Sequence, residues 1–161
     1  MTPLLKFVLA AMLKLAPGRD HQVLAESVVR VLDANAPLFA GDPGKRKTAG
    51  LVVAVAFRES SLRADAVGDC VGGPCARGGR PRSFCAMQIH ETSGGSPALL
   101  TNADVCFTKG LAMLRVSAHE DPAHPIAWYA GGPRGFKSEE ARRVSRDRMD
   151  LARRLYTEVA P

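Results

Sequence analysis

The sequence of 161 residues has no apolar run long enough to cross a lipid bilayer. The run nearest the amino terminus, residues 7–13, lies between Lys6 and Lys14, whereas a transmembrane helix needs about 20 apolar residues. The same run is short for the core of an export signal. Wound as a helix, residues 4–15 place Lys6, Ala10 and Lys14 on one face, and on the other face Leu4, Leu5, Val8, Leu9, Met12 and Leu15. The sequence therefore predicts an amphipathic packing helix, no transmembrane segment and no clear signal peptide.

Repeats and low-complexity tracts are absent, and no shift in composition marks a domain boundary. A chain of 161 residues is long enough for one domain with its own hydrophobic core. We therefore expect a single domain over residues 1–161, with amino-terminal helices in residues 1–45.

Cysteine is scarce, and its spacing, C-x4-C-x9-C-x20-C, matches no common zinc pattern, so no metal site is expected. The four residues are Cys70, Cys75, Cys85 and Cys106. Four cysteines allow two disulfides in any of three connectivities. Three of them lie in a glycine-rich segment that little else would hold, so we expect at least one bridge and an oxidising compartment. The pairing stays open.

Aromatic residues make up only 6% of the chain, whereas the net charge is +6. Such a charge favours an anionic partner, which could be nucleic acid, a membrane surface or an acidic cell-wall polymer. Arginines concentrate in the last predicted helix: Arg142, Arg143, Arg146, Arg148, Arg153 and Arg154. Acidic residues interrupt this series, and aromatic residues suited to base stacking are missing from the exposed positions. The pattern favours a solvated basic face and no nucleic-acid partner.

Apolar residues recur at helical spacing in six stretches of the chain. These are residues 4–15, 23–32, 51–62, 102–119, 122–130 and 139–159. Prolines and glycines predict a loop over residues 35–47. Residues 63–95 are too irregular for a long helix and predict loops with a small β-hairpin. The expected fold class is mainly α.

Glu59 ends the most apolar of these stretches. Seven apolar residues and Arg58 precede it, and at 3.6 residues per turn it shares a face with Val52 and Val55. Burial disfavours the charged form of a carboxyl group, and a carboxyl group that keeps its proton near neutrality can act as a general acid. In the alternative interpretation, Glu59 turns to solvent and pairs with Arg58 or Arg63.

Three separated pieces have an order and spacing typical of one known family. They are the Glu-Ser-Ser at residues 59–61, the Met-Gln-Ile at residues 87–89 and the Ala-Trp-Tyr-Ala-Gly-Gly at residues 127–132. Over residues 51–156 the chain resembles the lysozyme-like family of soluble lytic transglycosylases and goose-type lysozymes. In that family a Glu-Ser pair is followed by Gly-Leu-Met-Gln, then by Ala-Tyr-Asn-x-Gly, with a further Tyr near the end.

The resemblance implies a lysozyme-like fold, with residues 46–161 as the catalytic core and an irregular or hairpin segment beside the cleft. It implies that Glu59 is the catalytic acid and that no cofactor is needed. The substrate-binding residues that it implies are Ser60, Met87, Gln88, Tyr129 and Tyr156. Met87 would form a polarizable wall for a sugar ring, and Gln88 would contact an acetamido group.

The sequence departs from the family pattern in two places. Cys85-Ala86 replaces Gly-Leu beside the cleft, and Ala130 replaces the usual Asn, which removes a polar contact to substrate. Neither departure affects the acid, but both bear on substrate preference.

The resemblance implies cleavage of the β-1,4 bond between N-acetylmuramic acid and N-acetylglucosamine in peptidoglycan. Lytic transglycosylases use a single Glu, whereas goose-type hydrolysis would need a second carboxylate, for which Asp65 and Asp69 are the nearest candidates. A lysozyme-like module that binds glycan without cutting it is a further alternative. Each alternative implies a periplasmic, cell-envelope or extracellular location, and a bacteriophage lysis or virion protein would suit it as well as a bacterial enzyme.

Overall fold

The fold is mainly helical, with a small antiparallel sheet, as the sequence predicts. The computed structural model describes residues 1–41 and 43–159, and this part of the chain contains six α-helices. The helices are α1 (Pro3–Leu15), α2 (Gln22–Ala34), α3 (Gly44–Ser60), α4 (Ala103–Glu120), α5 (Ala127–Gly135) and α6 (Glu139–Glu158). Within these described residues no helix is both long enough and apolar enough to span a membrane.

The sheet occupies the irregular segment in which the sequence predicts a hairpin. Its strands are β1 (Val67–Gly68), β2 (Ser83–Phe84) and β3 (Ile89–His90), in the order β1-β2-β3. Both pairings are antiparallel, and Phe84 is the partner of Val67 on one side and of Ile89 on the other. Short 3₁₀ turns at Cys75–Arg77, Glu91–Ser93 and Pro97–Thr101 make up much of the remaining ordered structure between α3 and α4.

Helix α3 is the centre of the core. Every residue from position 48 to position 56 is buried, as expected of a helix that is apolar all round. The helix packs against α6, α1, α2 and α4. It ends at Ser60, close to the predicted end at residue 62, because Ser61 (φ 54°) and Leu62 (φ 61°) adopt the left-handed conformation and the Ser61 amide bonds back to the Phe57 carbonyl.

The amino-terminal helix α1 is amphipathic, which confirms that prediction. Phe7, Val8, Ala11 and Met12 are buried against α2 and α3. On the opposite face, Lys14 forms an exposed ion pair with Glu158 at 2.9 Å.

The loop predicted over residues 35–47 is too long, because α3 already begins at Gly44. Of this predicted loop, Asp42 lies outside the described residues. The Thr48 hydroxyl bonds to the Gly44 carbonyl and accepts from the Leu38 amide, both at 2.9 Å. A Cβ atom at position 44 would lie 2.0 Å from the Phe39 carbonyl oxygen. Glycine therefore begins the helix here because the preceding loop folds tightly over it.

The prediction of a helix over residues 122–130 is also wrong in its bounds, since α5 begins at Ala127 and continues to Gly135. Pro122 and Pro125 explain the late start, because the residue before a proline disfavours helical dihedrals. Gly132, at φ 62° and ψ −174°, kinks the helix before Pro133.

Two disulfides are present, so the prediction of at least one bridge is confirmed. Cys70 pairs with Cys75 inside the hairpin region, and Cys85 pairs with Cys106. The second bridge fastens the turn after β2 to the first turn of α4. It therefore joins the sheet to the helical core.

Replacing Cys85 and Cys106 together by alanine should lower the free energy of unfolding by about 3 kcal/mol, because the bridge constrains a long loop of the unfolded chain. The matched control is the double replacement of Cys70 and Cys75, whose separation is 5 residues instead of 21; its expected loss is about 2 kcal/mol. Urea unfolding followed by circular dichroism measures both values. A larger loss from the shorter loop would contradict the expectation.

Candidate active site

A cavity of about 520 Å³ lies where the end of α3, the small sheet, α5 and α6 meet. Its lining combines polar side chains from the sheet side with charged, aromatic and apolar side chains from the helices. The lining residues are Glu59, Asp69, Ser83, Gln88, His90, Thr92, Ser93, Met113, Trp128, Tyr129, Ala130, Gly132, Pro133, Val144 and Arg148. Four of the predicted site residues, Glu59, Asp69, Gln88 and Tyr129, thus lie at one cavity.

Glu59 lies in the last turn of α3, and its side chain is 20% exposed. Its Oε1 atom accepts hydrogen bonds from Nη2 (2.7 Å) and Nε (3.2 Å) of Arg148. Neither Arg58 nor Arg63 pairs with it, contrary to the alternative interpretation, because Arg58 binds Asp147 at 2.8 Å and Arg63 faces Asp65 at 3.3 Å. Glu59 is therefore a partly buried, ion-paired carboxyl group at the cavity wall.

Ser60 ties the end of α3 to the turn that carries the second motif. Its hydroxyl lies 2.9 Å from the Ala56 carbonyl and 2.8 Å from the Ala86 carbonyl, and it accepts from the Arg63 amide at 3.2 Å. The resemblance places Ser60 near the acid, and the structure gives it hydrogen bonds to the backbone. The contact with Ala86 sets the distance between Glu59 and the motif at residues 87–89.

Gln88 holds its side chain amide against the sheet side of the cavity. Its backbone is left-handed (φ 48°), and its Nε2 atom donates to the Cys85 carbonyl at 3.0 Å. A Cβ atom at Gly68 would lie 2.1 Å from the Gln88 Oε1 atom. A glycine in β1 is therefore what allows this amide to lie across the strand.

Met87 differs from the prediction that it forms a wall for a sugar ring. Its side chain is fully buried and packs on α4, where a Cβ atom at Gly110 would lie 2.6 Å from the Met87 Cε atom. Because the turn at residues 85–88 directs this side chain inwards, only its backbone carbonyl serves the site, as the acceptor for the Tyr129 hydroxyl.

Tyr129 lines the cavity from the first turn of α5 and donates its phenol proton to the Met87 carbonyl. The residue is half-buried, with its phenol end enclosed. Burial, and next the carboxylate of Glu59, raise the pKa of this phenol well above its ordinary value, while Arg148 acts in the opposite direction. The phenol therefore keeps its proton at neutral pH.

The two candidates for a second carboxylate, Asp65 and Asp69, differ in their position relative to the cavity. Asp69 lines the cavity and accepts a hydrogen bond from the Ser83 hydroxyl. Asp65 is exposed and does not line it, and its hydrogen bond from Arg63 lowers the pKa of this carboxyl group. Only Asp69 shares a cavity with Glu59.

Tyr156 does not join this site. Its ring centroid lies 5.2 Å from the Arg46 guanidinium, and it lines a different cavity together with Phe39 and Met149. Tyr156 follows Arg148 by eight positions on α6, which places it roughly 80° around the helix and about 12 Å along its axis. The resemblance to a terminal tyrosine therefore fails in position.

Sequence reasoning missed Arg148, which it grouped with the solvated arginines, and also Trp128 and His90. A signal for Arg148 exists in the sequence. The buried stripe of α6 contains Ala141, Ser145, Leu151, Ala152 and Leu155. Arg148 lies three or four positions from its nearest members, so helical periodicity directs this arginine towards the core. Trp128 and His90 adjoin residues that the sequence singled out, since Trp128 lies within the motif at residues 127–132 and His90 follows the motif at residues 87–89.

Comparisons of the chain with protein-family models, with curated proteins and with solved structures find no match. Over residues 1–41 and 43–159 no group of three or more His, Cys, Asp or Glu side chains could hold a metal ion. The case for a function therefore depends on the residues and geometry of this chain.

The phenolate absorbance of Tyr129 should appear at a higher pH than that of a free tyrosine side chain, which titrates near pH 10. A Tyr156→Phe variant isolates the signal, because the chain has two tyrosines. Since folding raises this pKa, the associated stabilisation is complete below about pH 10 and is lost as the pH rises through the folded-state value. A Tyr129→Phe control reports the other tyrosine, and a midpoint for Tyr129 at or below pH 10 would show that its phenol is solvated.

Proposed function

We propose that the cavity cleaves the β-1,4 bond between N-acetylmuramic acid and N-acetylglucosamine in peptidoglycan, as a lytic transglycosylase of lysozyme-like fold. One observation carries the proposal: Glu59, Gln88 and Tyr129, from three separate segments of the chain, line one cavity. A volume of about 520 Å³ is in the range of ordinary ligand pockets. The net charge of +6 suits an acidic wall polymer.

Glu59 would act first as an acid and then as a base. In its protonated form it would donate a proton to the glycosidic oxygen as the bond from that oxygen to C1 of the sugar breaks. The resulting carboxylate would then take the proton of the C6 hydroxyl of the same sugar as its oxygen bonds to C1. The product is a 1,6-anhydro sugar, and no water is consumed.

Gln88 and Tyr129 would orient the sugar. The Gln88 amide offers a donor and an acceptor, which is the pattern that an acetamido group requires. The Tyr129 proton is already bound to the Met87 carbonyl, so the phenol oxygen would accept from a substrate hydroxyl. Ala130, which also lines the cavity, offers no polar side chain where the family has Asn.

Glu59→Gln should lower the rate of sacculus solubilisation by about 10²- to 10⁴-fold, because the amide keeps the shape but cannot transfer the proton. Release of soluble muropeptides from purified sacculi measures the rate. Glu139→Gln is the matched control, since Glu139 pairs with Arg146 on the exposed side of α6, and it should retain the wild-type rate. A Glu59→Gln variant that clears walls normally would remove Glu59 from the mechanism.

Hydrolysis by a goose-type mechanism is the second candidate, because Asp69 lines the same cavity as Glu59. Hydrolytic glycosidases commonly use two carboxyl groups, of which the second activates water or attacks the sugar. The hydrogen bond from Ser83 would fix the Asp69 carboxylate for this role.

Mass spectrometry of the products separates the two reactions. If the protein is a transglycosylase, the products carry 1,6-anhydro ends, and Asp69→Asn should keep its rate within about threefold, because a lost hydrogen bond alone is a modest change. Asp65→Asn is the control, since that carboxylate lies outside the cavity. Reducing ends, together with a loss of about 10²-fold in Asp69→Asn, would assign hydrolysis instead.

A module that binds glycan without cutting it is the third candidate, because the ion pair with Arg148 engages Glu59. Binding to sacculi without release of soluble fragments would assign it.

Nucleic acid is not proposed as a partner. Four of the six arginines on α6 lie in ion pairs: Arg143 with Glu140, Arg146 with Glu139, Arg148 with Glu59 and Arg153 with Asp150.

The two disulfides support a location in the periplasm, in the cell envelope or outside the cell, because disulfides persist in oxidising compartments.

A further inference from the structure

Resting on the proposed function, we infer that Arg148 is a positioning residue that fixes Glu59 by one oxygen and assigns proton transfer to the other. Arg148 would hold Oε1, and Oε2 would give the proton to the glycosidic oxygen and later take one back.

Two nitrogens of the guanidinium donate to the same atom. Nη2 lies 2.7 Å and Nε 3.2 Å from Glu59 Oε1. Among residues 1–41 and 43–159, no protein group donates to Oε2. Charge-assisted bonds of this kind are stronger and more directional than neutral ones, so the carboxyl group is held in one orientation.

The pair is much less exposed than the other ion pairs of α6. The Arg148 side chain is 13% exposed and that of Glu59 20%, whereas Arg153 and Asp150 are 69% and 61% exposed. Solvent weakens an exposed pair, but removal from water strengthens the attraction between charges. Among the pairs of α6, the one at the cavity is therefore best able to fix a side chain.

A carboxylic acid carries its proton on one oxygen and accepts hydrogen bonds on the other. Because Arg148 occupies Oε1 with two donors, the protonated form of Glu59 carries its proton on Oε2. When Oε2 releases that proton, negative charge develops on the carboxyl group next to a cation already in place. Such preorganised charges stabilise a transition state without further rearrangement.

The other charged and titratable groups near the pair are few and are placed differently. Asp147 Oδ2 lies 4.0 Å from Arg148 Nη1, but the other oxygen of Asp147 binds Arg58 at 2.8 Å. Tyr129 is close enough to respond to both members of the pair. Asp69 and His90 line the same cavity. None of these groups donates a hydrogen bond to Glu59, so orientation of its carboxyl group falls to Arg148.

The test replaces Arg148 by Ala and measures sacculus cleavage with and without guanidinium ions below denaturing concentrations. We expect a fall in kcat of about 10²-fold with KM within about threefold, because the lost interaction acts on the transition state and not on substrate binding. Added guanidinium should restore part of the rate, while sodium chloride at equal ionic strength should not. The rate of Arg148→Lys should lie between the rates of the wild type and of Arg148→Ala, because lysine keeps the positive charge but not the planar set of N–H donors.

Arg153→Ala is the matched control. It removes the same charge from the same helix but from an exposed pair, so its rate should equal that of the wild type and should not respond to guanidinium. Melting temperatures of all variants identify a loss that is due to unfolding. A folded Arg148→Ala variant with wild-type kcat, or with a loss that guanidinium does not relieve, would overturn the inference.

The titration of Tyr129 in the Tyr156→Phe background gives a readout that does not need activity. Removing Arg148 should raise the midpoint, and Glu59→Gln should lower it, because the two charges act on this phenol in opposite directions. If Glu59→Gln is inactive but Arg148→Ala is not impaired, only the inference fails. If the wild type cleaves no sacculus or Glu59→Gln stays active, the proposed function fails first, and the inference fails with it.

Discussion

The ion pair between Glu59 and Arg148 connects the most buried helix of the protein to the helix that packs most closely on it. Helix α3 is buried on all sides over residues 48–56, so a carboxyl group just beyond this stretch has to find a partner or reach solvent. Glu59 does both in part. Arg148 meets it from the apolar stripe of α6, and the remaining carboxylate surface borders the cavity. The position of the cavity therefore depends on where a buried helix stops being apolar.

The sheet-side wall of the cavity is held in place by a disulfide and by hydrogen bonds to one short turn at residues 85–88. The Cys85–Cys106 bridge fastens the turn at residues 85–88 to α4, and the Ser60 hydroxyl fastens it to the end of α3. The Tyr129 phenol holds the Met87 carbonyl from α5. Three helices thus grip a turn whose own backbone includes two left-handed residues, Cys85 and Gln88. Such a turn costs conformational free energy, and anchors from several directions are what keep it in place.

The sequence was most informative where a local pattern decides the outcome. Periodicity located the buried part of α3 and placed its end within two residues of Ser60, and the motifs named Gln88 and Tyr129, which lie at one cavity. The same reasoning failed where contacts between distant segments decide. Arg148 lies 89 positions from Glu59. As one of six arginines in the last helix it was interpreted as solvated, although its place in the buried stripe of α6 indicates otherwise.

Other misses have the same origin. Whether Met87 faces a ligand or the core depends on the turn around it, in which Cys85 and Gln88 are left-handed, and neither a cysteine nor a glutamine predicts that conformation. Tyr156 matched a motif by its order along the chain, but order does not specify the helical face. Its position eight residues after Arg148 on α6 places its ring beside Arg46 and away from the site. In contrast, the start of α5 was recoverable, because the two prolines before it were visible in the sequence.

The two walls of the cavity differ in chemistry, which bears on the kind of molecule that fits. The sheet side presents short polar groups: Asp69, Ser83, Gln88, His90, Thr92 and Ser93. The helical side presents Trp128, Met113, Val144 and Pro133, together with the Glu59–Arg148 ion pair and the Tyr129 phenol. A pyranose ring has hydroxyl and amide groups at its edges and C–H groups on its faces, so it matches a cavity with one hydrogen-bonding wall and one wall that combines apolar side chains with a few polar groups. A flat aromatic ligand would leave the polar wall unpaired, and a small anion would leave the apolar side chains uncovered. Both would lose binding energy relative to a sugar, because unpaired polar groups in a closed site cost free energy.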